Sequence, residues 1–210
     1  VSLSLVAKAG LAVAGGLAVG LSFLVVNGGD QNPTAGRAEP PGTGKPSGPP
    51  VVFIGIDSSG SALPFHQDWL PRIGQLSDRL PLSAAQEVYR FDTAVHELYV
   101  GPPISRVSLK RMINVVDKDR GQVGTSLKEF AKRVESRLAK YPDRPAMVWI
   151  FTDCGVERMT KADHDALRSV ATRWSARPGF TLLTIVGVRP LHREALRTAF
   201  DPLGDRLMIE

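Results

Sequence analysis

Apolar residues fall into three kinds of stretch along the chain, and each predicts a different element. The longest is Ala9 to Val26, eighteen residues without a charge (AGLAVAGGLAVGLSFLVV). Short continuous runs come next: Val51–Ile56 (VVFIGI), Met147–Phe151 (MVWIF) and Thr181–Val186. Runs of that length suit strands buried on both faces of a sheet. The third kind repeats every three or four residues and marks helices. Trp69, Ile73 and Leu76 share a face within His66–Leu80, and Leu127, Phe130, Val134 and Leu138 share another, opposite Lys and Glu. Further helices are predicted over Ser105–Val116, Lys161–Ala176 and Pro190–Phe200. Glu87–Phe91 and Val95–Val100 read as strands joined by Asp92-Thr93-Ala94. That link is too short for a parallel crossover, so the pair is predicted to be an antiparallel hairpin. Arg206–Ile209 reads as a short edge strand.

Strands alternating with helices of these lengths imply an α/β fold: a doubly wound, mostly parallel sheet with one antiparallel edge strand. It occupies residues 51–210, with 23 basic and 19 acidic residues, long enough for one sizeable core. Ahead of it, residues 27–50 form a linker: between Gln31 and Pro50, ten of twenty residues are Pro or Gly. Such a segment buries no core and stays extended, reaching up to about 70 Å at ~3.1 Å per residue.

Residues 1–26 are predicted to be an N-terminal transmembrane anchor or a signal peptide. As a helix, residues 9–26 span about 27 Å, close to the ~30 Å hydrocarbon core. No small-x-small pair follows Val26 closely, which favours an uncleaved anchor over secretion after signal cleavage. Lys8 precedes the span, so the N-terminus is expected to stay inside and the domain to lie outside the cell membrane on a single-pass anchor. Ala12, Gly16 and Gly20 form a small-residue stripe through which two helices would pack as a homo-oligomer. Chance in an Ala/Gly-rich segment also produces that pattern.

Composition removes several functions. Cys154 is the single cysteine, which excludes an intrachain disulfide and a Cys-based zinc or iron–sulfur site. The four histidines show no H-x-x-x-H spacing. A net charge of +5 is spread along the chain without a basic block, so nucleic-acid binding is not expected. Gly42-Thr-Gly-Lys45 lacks the spacing of a phosphate loop and is followed by Pro46.

What remains is a set of oxygen donors at strand ends, where doubly wound sheets bind ligands. Asp57, Ser59 and Ser61 follow the first buried strand, Thr125 sits in a Gly-containing loop before a helix, and Asp153 follows a later buried strand. The i, i+2, i+4 spacing lets one turn aim three side chains at a point. Two carboxylates and three hydroxyls are hard ligands, suited to Mg²⁺, Mn²⁺ or Ca²⁺ and not to zinc. An ion so held keeps an exchangeable position that attracts an acidic side chain from a partner.

The order strand–Asp-x-Ser-x-Ser, then Gly-Thr opening a helix, then strand–Thr-Asp resembles the von Willebrand factor type A (vWA) domain with its metal-ion-dependent adhesion site (MIDAS). Tyr89-Arg-Phe-Asp-Thr-Ala-Val95 also resembles that family's second strand and the turn into its antiparallel edge. The resemblance covers residues 51–210. It implies Asp57, Ser59 and Ser61 as the first metal motif, Thr125 as the second and Asp153 as the third. It further implies direct coordination by the hydroxyls, water-mediated contact by the acids, and metal-dependent protein binding without catalysis. Cys154 departs from the family, which commonly has Gly there; a small buried residue is the simpler reading, against a thiol near the metal.

The expectation is therefore a membrane-tethered binding module, not an enzyme, whose protein partner presents Asp or Glu to a metal, Mg²⁺ by preference. One alternative is a scaffold subunit of an envelope complex in which the metal only stabilises loops. A metal-dependent hydrolase is disfavoured: a haloacid-dehalogenase-type site needs a second carboxylate where Ser59 stands, and G-x-S-x-G is absent. Arg189, Arg193 and Arg197 are expected on a solvated helix face and Trp69, Trp149 and Trp174 in packing roles; His66 lies near the site in sequence, and a surface helix position explains it as well.

Overall fold

The structure is a computed structural model that describes residues 46–118, 124–154 and 159–210. The anchor, most of the linker and the Gly16/Gly20 stripe lie outside the described residues. Among the described residues, no helix is long and apolar enough to cross a membrane.

Among the described residues, six strands form one sheet: β1 (Val51–Asp57), β2 (Ala85–Phe91), β3 (Val95–Gly101), β4 (Ala146–Phe151), β5 (Phe180–Val186) and β6 (Leu207–Ile209). Their order is β3-β2-β1-β4-β5-β6. All neighbours pair in parallel except β2 and β3, the hairpin expected from its three-residue link. β6 pairs parallel to β5 at the opposite edge. The order of the strands reverses at β1, since β2 lies on one side of it and β4 on the other.

The helices are α1 (His66–Arg79), α2 (Arg106–Lys118), α3 (Leu127–Leu138), α4 (Lys161–Ala176) and α5 (Arg193–Phe200). The helix expected over Pro190–Phe200 is split, with a 3-10 turn over Pro190–His192 ahead of α5. β1 shows why two layers of helix are needed. Its residues alternate between two cores: Val51 and Phe53 face one with Phe130, Trp174 and Phe200, while Val52, Ile54 and Ile56 face the other with Trp69, Ile73 and Leu109. Residues of α3, α4 and α5 line the first core, and residues of α1 and α2 the second.

α3 buries Leu127, Phe130, Ala131, Val134 and Leu138, one stripe of a 3.6-residue repeat. Phe130 stacks on Phe91 and meets Tyr89 edge-on, and its burial contributes about 2–3 kcal/mol. The ring also determines Gly55 of β1: a Cβ there would lie 2.6–2.8 Å from three ring atoms. Gly55→Ala is therefore expected to lower the unfolding free energy by about 1–3 kcal/mol. A lower urea midpoint at unchanged slope is the expected reading, and an unchanged midpoint would refute it.

A buried charge cluster fastens α3 to β2. Glu87 is fully buried and receives Arg137 Nη2 at 2.7 Å and Nε at 2.8 Å, with the Tyr141 hydroxyl at 2.7 Å and the Tyr89 hydroxyl also donating. Burial alone pushes the Glu87 carboxyl up, but the bonds from Arg137, Tyr89 and Tyr141 outweigh it and hold it below the ordinary glutamate range.

Candidate metal centre

β1 and β4 run side by side in register, Ile56 opposite Phe151, so their carboxyl ends bring Asp57 and the Thr152-Asp153 pair together. Asp57 is buried, the last residue of its strand. The chain then turns: Ser59 N–H donates to Asp57 Oδ1 at 2.9 Å, and the Ala62 amide bonds back to the Ser59 carbonyl at 3.0 Å. Ser59 is buried and Ser61 exposed, so the turn presents one hydroxyl inward and one at the surface.

Thr125 reaches the same carboxylate from the start of α3, its Oγ1 lying 3.2 Å from Asp57 Oδ2 and 3.4 Å from Oδ1. Gly124 beside it has φ 134°, and the Ser126 amide donates to the Asp92 carbonyl at 2.6 Å, which ties this loop to the hairpin. Gly121, Gln122 and Val123 of the same loop lie outside the described residues. On the other side, Ser59 Oγ and Ser61 Oγ are 3.4 Å apart, and Ser61 Oγ donates to Asp153 Oδ1 at 3.2 Å. All five sequence-predicted residues thus belong to one connected cluster.

The donor set fits a divalent cation. The oxygen pairs at 3.2–3.4 Å are longer than good O–H···O bonds. Neighbouring oxygens around an octahedral ion at ~2.0–2.1 Å lie about 3 Å apart, so the cluster has nearly that spacing. The groups that bond Asp57 are neutral: the hydroxyls of Thr125 and Thr152 and the Ser59 amide. Burial pushes the Asp57 carboxyl above the ordinary aspartate range. The Asp153 charge adds to that, and the Thr152 and Ser59 bonds oppose it.

Several residues touch this cluster whose contacts there were not read from the sequence. Thr152 Oγ1 donates to Asp57 Oδ2 at 2.6 Å and accepts from the Cys154 amide at 3.0 Å. Ser58 is buried, with its hydroxyl 3.4 Å from Asp92 Oδ2. His66 is not a surface residue: it is fully buried, and its Nε2–H donates to the Asp57 carbonyl at 2.6 Å. Arg189 is not on the α5 face with Arg193 and Arg197. It precedes the 3-10 turn and pairs with Asp153 Oδ2 at 2.7 Å. Cys154 is buried, as expected of a small packing residue, with φ 47°. That left-handed backbone suits glycine best and accounts for the family's usual residue.

No protein-family model matches the chain, and no curated protein does. Solved structures do. Over 77% of this chain, a von Willebrand factor type A protein from Catenulispora acidiphila superposes with a TM-score of 0.57 at 19% identity. BatB from Bacteroides thetaiotaomicron gives 0.57 at 14%, and an aerotolerance-related membrane protein from Bacteroides fragilis gives 0.58 at 12%, again over 77% of this chain. The fold is the vWA fold. The chain spans 38% of the Catenulispora protein but 90% and 91% of the two Bacteroides chains. Another vWA-fold match is proximal thread matrix protein 1 of the mussel byssus, with a TM-score of 0.52 at 14% identity over 77% of this chain and 43% of its own. One of its structures has a zinc-occupied MIDAS motif.

Proposed function

We propose that this vWA domain binds a divalent cation through Asp57, Ser59, Ser61, Thr125 and Asp153, and through that ion a carboxylate of a protein partner. The reading is one of adhesion without catalysis. The observation that carries it is the convergence of five oxygen-bearing side chains from three separate loops on the carboxyl ends of β1 and β4. Ser61 is exposed and Thr125 half-buried, which leaves the cluster open to a partner. Mg²⁺ suits small oxygen sites that keep bound water. Residues 9–26 tether the domain to the membrane, with the domain outside; the uncharged run behind Lys8 supports this reading.

The test is direct. The full chain is titrated with Mg²⁺ and Mn²⁺ by calorimetry, and pull-downs from detergent extracts run in parallel with Mg²⁺ and with EDTA. Saturable cation binding is expected, with capture that EDTA abolishes and Mg²⁺ restores. Asp57→Ala is expected to remove both while far-UV circular dichroism stays unchanged. Capture indifferent to EDTA and to the substitution would refute the reading.

A scaffold role has one observation in its favour. The bonds of Asp57 link the β1, α3 and β4 loops, so a cation there would also stiffen them. In that case a chelator lowers the melting temperature and leaves complex formation intact.

A further inference from the structure

Asp153 is shared between two partners of different character. Ser61 donates to its Oδ1, and the Arg189 guanidinium lies 2.7 Å from its Oδ2. The carboxylate is 2% exposed, whereas the arginine side chain is 50% exposed and reaches in from solvent. Its backbone is placed by the turn after β5. Gly187 has φ 92°, and a Cβ there would meet the Thr152 carbonyl and the Trp69 ring at 3.0 Å. Val188 is buried and its amide donates to the Glu210 carbonyl at 3.1 Å. Pro190 follows, and Arg189 is extended at φ −61°, ψ 142°, the region that proline favours in the residue before it. The ion pair is thus built into a fixed turn.

We propose that Arg189 is a resident competitor for the cation: by holding the second oxygen of Asp153 it sets the ion affinity below what the five oxygen donors alone would give. The inference rests on reading the cluster as a cation site. A dication arriving there faces two carboxylates, one of them already neutralised, and a like charge in contact with that one. The loaded centre then keeps the positive charge of Arg189 in excess, which favours an incoming carboxylate. By linkage, ion and acidic partner strengthen each other's binding.

The experiment titrates the full chain, kept soluble in mild detergent, with Mn²⁺ and reads the free ion by electron paramagnetic resonance. Arg189→Met is expected to tighten Mn²⁺ on the order of tenfold, as removal of one opposing unit charge near a partly wet site implies. Arg189→Lys should stay within about twofold of wild type, because it keeps the charge. Arg197→Met, which removes a surface arginine 3.9 Å from Glu194, controls for net charge and should change little. Raising the salt concentration should narrow the gap between Arg189→Met and wild type. Arg189→Gln serves as the second charge-removing variant, and melting curves without metal establish that each variant folds. If wild type binds Mn²⁺ and neither charge-removing variant binds it tighter, the competitor role is overturned and the cation site stands. If neither wild type nor the variants bind Mn²⁺, both fall.

Discussion

Asp57→Asn is expected to abolish cation-induced stabilisation and yet to yield a more stable metal-free protein. In wild type, an ion at 100 times its Kd adds about 2.7 kcal/mol, roughly 5–10 °C for a domain of this size. The variant should show no such shift, because Asp57 is the carboxylate that Thr125, Thr152 and the Ser59 amide all address. Without metal, the wild-type carboxylate is buried among neutral donors and burial disfavours its charge. The isosteric amide removes that cost, and both threonine hydroxyls can turn to accept from it. A rise of about 1 kcal/mol, or roughly 2–4 °C, is expected in EDTA. Differential scanning calorimetry with Mg²⁺ and with EDTA reads both effects. A persisting Mg²⁺ shift in the variant would contradict the assignment of Asp57, and a lower metal-free melting point would contradict the account of its burial.

Arg137→Met is expected to be the most damaging substitution in the folded core. It leaves Glu87, with no exposed surface, without its cationic partner; the arginine itself is 16% exposed. Removing one member of a buried pair costs about 3–5 kcal/mol, a large share of the 5–15 kcal/mol typical of a domain. The pH dependence supplies a sharper check. In wild type the folded-state carboxyl of Glu87 is held below its ordinary 4.5. Its contribution is therefore complete above that value and is lost as pH falls towards the folded-state value. In Arg137→Met, burial acts with two tyrosine hydroxyls as the remaining donors, and the carboxyl rises. The contribution of Glu87 then changes sign: acidification that weakens wild type relieves the variant. Urea denaturation between pH 4 and pH 7 should show the gap between the two proteins narrowing as pH falls. A constant gap would mean that Glu87 and Arg137 are not energetically coupled. Adding Glu87→Gln to Arg137→Met should recover part of the loss, since it removes the stranded charge.

The elements were legible in the sequence because each rests on a local pattern. Continuous apolar runs gave β1, β4 and β5, the period of Leu127, Phe130, Val134 and Leu138 gave α3, and a three-residue link fixed the antiparallel hairpin. That the five predicted oxygen donors would meet at one end of the sheet was legible because strand–Asp-x-Ser-x-Ser, Gly-Thr and Thr-Asp are short motifs in order. Thr152, His66 and Arg189 were not, for a common reason. Their partners lie across the sheet or in another loop: Thr152 and Arg189 depend on β1, β4 and β5 being neighbours, and His66 on a carbonyl nine residues earlier. Arg189 did leave one signal. A residue before proline is disfavoured in the α region, which argues against a helix face shared with Arg193 and Arg197.

The notch at Gly55 has a consequence for how the ion would be received. With the Phe130 ring seated in it, α3 cannot slide along β1 without lifting an aromatic group out of the interior. Asp57 lies two residues beyond the notch and Thr125 five residues before the ring, so one wedge fixes the spacing of donors from two different segments. Among the described residues, capture of the cation should then leave the backbone almost unmoved, with the exposed Ser61 and Arg189 side chains making the sizeable adjustments.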